Sequence, residues 1–174
     1  MKKKILLLLM FSILFITGCK NVKPVDENNK LVIKDKDSGY TIKFSYPKSD
    51  NYTTEEELGG KFVESIIKNE EKNIKMDVYF FESTYNSFSS TKISRKNDDT
   101  FKEYNWNNYE GYIYNADKYS LNFSILLKKD NESNCIALFG EVSPINYKDA
   151  DIVEIFNSKD IQDLFNTIEF SINK

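Results

Sequence analysis

WNNYEGYIYNADKYSLNFSILLKKD, residues 106–130, decides the fold class. Tyr112, Ile113 and Tyr114 are strand-forming residues, and Asn115, Ala116, Asp117 and Lys118 have the composition of a turn. Beyond the turn, Tyr119, Leu121, Phe123 and Ile125 project to one side, and Ser120, Asn122 and Ser124 to the other. That period of two belongs to a half-buried strand. KKDNESN, 128–134, makes the next turn, and CIALFGEV, 135–142, is apolar on both faces, as a central strand is. Consecutive hairpins of this kind predict an antiparallel sheet.

Upstream, YTIKFSYP at 40–47 alternates and is ended by Pro47. KFVESIIKNEEKNIKMDVYFFE has two readings. As a hairpin, 62–68 pairs with 74–81 across a charged turn. As a helix, Thr54 caps Glu55, Glu56 and Glu57, but Gly59 and Gly60 would each weaken it by about 1 kcal/mol. The hairpin is favoured for the later half. STYNSFSSTKIS gives a weak helical or irregular connection. Downstream, 149–156 reads as a short helix with Ile152, Ile155 and Phe156 on one stripe. Asn157 closes it, and Ser158 is placed to cap a second helix. In that helix Ile161, Leu164, Phe165 and Ile168 follow the i, i+3, i+4, i+7 spacing. The helical stripe needs burial and the sheet needs a cover, so the expected fold is α+β: an antiparallel meander covered by C-terminal helices.

The N-terminus reads as an address. Lys2, Lys3 and Lys4 precede an apolar run at 5–16 broken only by Ser12, and Thr17 and Gly18 lead to Cys19. A spanning helix needs about 20 apolar residues. Basic head, short apolar core and small residues are the order of a secretory signal. Ile16-Thr17-Gly18-Cys19 resembles the lipobox of bacterial lipoproteins. That resemblance implies cleavage before Cys19 and a diacylglyceryl group on its sulfur. Each buried methylene contributes about 0.8 kcal/mol, and two acyl chains hold stably where one does not. The expected organisation is a signal peptide at 1–18, a lipidated N-terminus and tether at 19–30, and one domain at 31–174. The tether KNVKPVDENNK, 20–30, reaches at most about 35–40 Å. The expected location is the outer face of the cytoplasmic membrane, with the membrane itself the first partner.

Composition narrows the chemistry. The chain carries 24 basic and 27 acidic side chains and no histidine. Without the three lysines of the leader the balance is more acidic, which disfavours nucleic acid as a partner. With no imidazole there can be no histidine triad and no histidine-containing zinc site. No metal and no cofactor is expected. Cys135, in the apolar 135–142 run, reads as a small buried hydrophobe with no base to activate it. DKDSG at 35–39 superficially resembles the start of a calcium loop, but Gly39 falls at position five and Tyr46 at position twelve, so it reads as a turn.

The aromatic group Tyr104, Trp106, Tyr109, Tyr112 and Tyr114 is the candidate binding platform for a sugar or a partner protein. Strand packing alone explains these residues as well, and if Ile113 faces the core, Tyr112 and Tyr114 face solvent or a second layer. The YTIKFSYP strand, the meander and the closing FNTIEFS together resemble the PsbP-like superfamily. That group includes a photosystem II extrinsic subunit, a Ran nucleotide-release factor and many small bacterial lipoproteins. The resemblance covers about 40–171 and implies an α/β/α sandwich. Metal-site histidines of the photosynthetic members have no counterpart here. The chain also resembles uncharacterised lipoproteins of low-GC Gram-positive bacteria. The functional expectation is a lipid-anchored envelope protein whose small, non-enzymatic domain binds a protein, peptide or wall polymer. The alternatives are a carboxylate-based hydrolase of wall material, and a stress, sporulation or immunity lipoprotein.

Overall fold

A computed structural model of the chain describes residues 28–35, 37–59, 62–115, 117–131, 133–148 and 150–173. The expected signal peptide, the Cys19 lipidation site and the tether up to residue 27 lie outside the described residues.

The fold is antiparallel α+β. Its larger sheet has seven strands: β3 (Thr53–Gly59), β4 (Phe62–Asn69), β5 (Ile74–Ser83), β6 (Lys102–Trp106), β7 (Tyr109–Asn115), β8 (Leu121–Asn131) and β9 (Asn134–Ser143). Their spatial order is β3-β4-β5-β9-β8-β7-β6. The meander β6–β7–β8–β9 therefore closes onto β5, and the 135–142 run is central, flanked by β5 and β8. Turn chemistry sets the registers. Asn107 and Asn108 both have positive φ, 49° and 69°, which a two-residue hairpin loop between Trp106 and Tyr109 demands. On β9, Gly140 leaves the space that Phe123 fills: a Cβ there would overlap the Phe123 ring and the Asp77 carbonyl.

A second sheet was not expected. β1 (Asn28–Lys34), β2 (Tyr40–Pro47) and β10 (Glu169–Ile172) form a separate three-stranded sheet with β2 in the middle. Two expectations change with it, the tether boundary and the C-terminal helix. β1 pairs Asn28 with Pro47, so the last three residues assigned to the tether already belong to the folded domain. The YTIKFSYP strand does not join the meander. The C-terminal segment after Phe165 is not helix: Ile168 is buried as expected, but Glu169 to Ile172 pair with β2. The hairpin reading of 62–81 holds, and it extends upstream. Residues 53–59 form β3, an edge strand paired with β4, where a capped helix was the alternative.

Among the described residues three helices complete the fold: α1 (Tyr85–Ser94), α2 (Ile152–Asn157) and α3 (Lys159–Phe165). Thr84 caps α1 through the Ser87 N–H, and Asp151 caps α2 through the N–H groups of Val153 and Glu154. Such caps are worth about 0.5–2 kcal/mol each. The main core lies between the two sheets and under α2 and α3. Ile161, Leu164, Phe165 and Ile168 sit in it at 2% exposure or less, each burial worth about 1.5–3 kcal/mol. α1 lies on the opposite face of the seven-stranded sheet. There Phe88 meets Tyr112, Cys135 and Ala137 in a smaller second core. The layers are thus one helix, the large sheet, and a third layer made of two helices with the small sheet. No helix among the described residues is long and apolar enough to cross a membrane.

Candidate functional site

The five aromatics singled out in the sequence divide between two faces, as strand alternation requires. Ile113 faces the main core, and Tyr112 and Tyr114 lie in the second layer under α1. Trp106 and Tyr112 are 1% and 0% exposed, so neither offers a ring to a ligand. Their work is internal. Trp106 stacks on Tyr104 with centroids 4.5 Å apart, and its Nε1 donates to Gln162 Oε1 at 3.0 Å. The Tyr104 hydroxyl donates to Asn157 Oδ1 at 2.6 Å, and the Tyr109 hydroxyl accepts the Phe170 N–H at 3.3 Å. Asn107 Nδ2 reaches the Ile168 carbonyl at 2.6 Å. Tyr104, Trp106 and Tyr109 are thus the seam that sews α2, α3 and β10 to the β6–β7 edge. Tyr114 is half-buried, with the Arg95 guanidinium 4.8 Å from its ring centre.

Exposed aromatics lie elsewhere. Alternation along β5 sends Val78 and Phe80 into the core and Tyr79 and Phe81 outward, each 37% exposed. Phe139 on β9 lies directly across from Tyr79, stacked on it at 6.0 Å, and Phe81 meets Phe139 edge-on at 5.6 Å. α1 packs against β8 and β9, which leaves Tyr79 and Phe81 beside its footprint.

Among the described residues, clefts open at both ends of β2. At the Tyr40 end a cleft of about 560 Å³ is lined by Tyr40, Glu82, Asp130 and Cys135 among others. The Tyr40 hydroxyl donates to Glu82 Oε1. Burial, that hydrogen bond and the surrounding carboxylates push the Tyr40 phenol up to about 12. Cys135 is buried and its thiol is pushed up by burial, so it is a poor nucleophile at neutral pH.

At the Pro47 end a cleft of about 400 Å³ lies between the end of β2, the β4–β5 turn and α3. The β4–β5 turn is anchored from two sides. Asn69 Oδ1 accepts the Lys72 N–H, and Asn73 exchanges two hydrogen bonds with the Asn146 backbone. This places the Lys72 ammonium 3.1 Å from Asp50 and 2.5 Å from Asp160. Both partners draw the Lys72 proton more tightly, and its pKa rises against the cost of burial. Tyr52 packs edge-on against Tyr46 at 5.0 Å, and burial pushes its phenol up to about 12.

Sequence reasoning missed both clefts, since their walls come from segments far apart in the chain. Among the described residues no Cys, Asp and Glu side chains are grouped as a metal would need. The carboxyl groups of Glu103 and Asp117 are held below the usual range by Lys92 and by the Tyr119 N–H, opposite to what a general acid needs. No family model matches the chain, and neither a curated protein nor a solved structure shows significant similarity to it.

Proposed function

We propose that the chain is a lipid-anchored envelope protein whose domain binds a protein, peptide or wall polymer without acting on it chemically. Acylated Cys19 holds it at the outer face of the cytoplasmic membrane. The single observation that carries the binding role is the Tyr79–Phe139–Phe81 cluster. A soluble-type domain gains nothing in stability from leaving two large rings more than a third exposed side by side, whereas such rings are the usual anchors of binding surfaces. The hydrolase reading lacks this kind of support: Lys72 engages the Asp50 and Asp160 carboxylates in one cleft, and the Tyr40 hydroxyl engages Glu82 in the other. For the fold, we assign the PsbP-like sandwich. Its support is the helix–sheet–helix layering and the YTIKFSYP strand packed against the C-terminal helix α3.

The test uses the full chain on intact membranes, with a photo-crosslinking side chain at Phe81 and, as control, at the exposed Ile93 on α1. A discrete adduct is expected from position 81 alone. Tyr79→Ser should weaken its formation about tenfold or more, as expected for a hot-spot aromatic. Sensitivity of the adduct to protease or to muramidase then separates protein from wall polymer. Equal, diffuse labelling from positions 81 and 93 would dispose of the binding face.

A further inference from the structure

The cleft at the Pro47 end contains a polar group that the fold itself does not use. Tyr52 is 7% exposed, and its hydroxyl has no hydrogen-bond partner among the described residues. A buried hydroxyl left unpaired is costly, and phenylalanine would fill the same space without that cost. Tyr52 lines the cleft together with Tyr46, Pro47 and Leu164, which supply apolar wall, and with Lys72. The Lys72 ammonium has three N–H donors, and Asp50 and Asp160 engage two of them. One Lys72 N–H and, buried in the wall of the same cleft, the Tyr52 hydroxyl therefore remain without a partner among the described residues.

Charge decides what they receive. Around the cleft Lys72 and Lys159 face Asp50, Asp160 and Asp163, a surplus of one negative charge. An anion meets that surplus. An ammonium ligand would have to compete with Lys72 for the same carboxylates. A hydroxyl group suffers neither penalty, since it accepts from Tyr52 or Lys72 and donates to an aspartate. Hydroxylated rings also carry apolar C–H faces that suit Tyr46, Pro47 and Leu164. The volume, about 400 Å³, lies within the usual range of small-molecule sites. We propose that this cleft binds a neutral, hydroxyl-rich ligand, a sugar ring or polyol. This site is separate from the Tyr79–Phe81 face and does not depend on it.

The experiment labels the full chain with 3-fluorotyrosine and follows it by fluorine NMR, the Tyr52 resonance being the one missing from Tyr52→Phe. Glucose, N-acetylglucosamine and glycerol are titrated, with acetate and methylammonium as charged probes. A saturable shift of the Tyr52 signal by at least one neutral probe, with little from the charged ones, is expected. Tyr52→Phe should weaken that binding about fivefold, read from the Tyr46 signal, which is the loss of one hydrogen bond. Its melting temperature should not fall, because the hydroxyl lost has no partner among the described residues. No shift with any neutral probe, tighter binding of a charged probe, unchanged affinity in Tyr52→Phe, or a lower melting temperature for that variant would each overturn the proposal.

Discussion

Replacing Phe165 with alanine should be among the most damaging single changes in this domain. Phe165 is 0% exposed and its ring touches four others: Trp106 at 5.0 Å, Phe123 at 5.1 Å, Phe156 at 5.4 Å and Phe44 at 6.0 Å. Those partners come from β6, β8, α2 and β2, so one ring joins the large sheet, the small sheet and a neighbouring helix. Phe→Ala in a core costs about 3–5 kcal/mol from lost transfer energy and the cavity left behind. Aromatic pairs add about 0.5–1.5 kcal/mol each beyond burial, which places this site near the top of that range, about 4–5 kcal/mol. For a chain of this size each kcal/mol lowers the melting temperature by about 2–4 °C, so the drop should be about 8–20 °C. Urea titration followed by the fluorescence of Trp106, the single tryptophan, reads the loss directly at a ring that Phe165 touches. The midpoint should fall with the slope unchanged. A cooperative transition displaced by less than about 1 kcal/mol would refute the central place given to this ring, because no cavity of that size could then have formed.

Two further outcomes follow from the same structure. Tyr52 has its phenol raised to about 12, above the ordinary 10.0, because burial disfavours the phenolate. Below pH 10 both folded and unfolded states are protonated and the stability is intact. Above it the unfolded chain ionises first, so stability falls as pH rises toward 12, by at most about 1.4 kcal/mol per pH unit from this residue. Urea midpoints at pH 9, 10 and 11 should diverge between the wild type and Tyr52→Phe, the variant losing less; parallel curves would mean that the phenol ionises freely in the fold. Cys19→Ala should abolish incorporation of labelled fatty acid and leave the leader uncut by the lipoprotein peptidase, as seen on a gel. Label retained by that variant would place the acyl chains on another residue.

What the sequence made legible was local alternation. β8 is recognisable because its apolar residues repeat every second position, β9 because its apolar run is continuous on both faces, and the turns between β7, β8 and β9 because they are built from Asn, Asp and Lys. Even the placement of Tyr112 and Tyr114 away from Ile113 follows from parity alone. What parity cannot tell is which layer covers a face, so Trp106, an obvious platform residue by type, is in fact a buried clasp for the C-terminal helices. The end of the chain departs from the expected helix for a related reason. Ile168 continues the stripe of α3, and only pairing with a strand some 125 residues earlier, Glu169 against Lys43, decides that the chain is extended there. Three consecutive glutamates at 55–57 suit the first turn of a helix, yet hydrogen bonding to β4 outweighs that local preference. The Lys72 cleft was invisible because residues 45–52, 72 and 160–167 meet only in three dimensions.

The position of Asn28 opposite Pro47 gives the molecule a bottom and a top. Nine covalent steps separate Cys19 from Asn28, a leash of at most about 30 Å. If Cys19 is acylated as proposed, the rim carrying Pro47 and Lys72 would stay within that reach of the lipid headgroups. The Tyr40 rim lies about 24 Å away along β2 and would then be the end farther from the anchor. Under that proposal a ligand of the nearer cleft would have to approach from the bilayer side, while the farther cleft would admit larger partners.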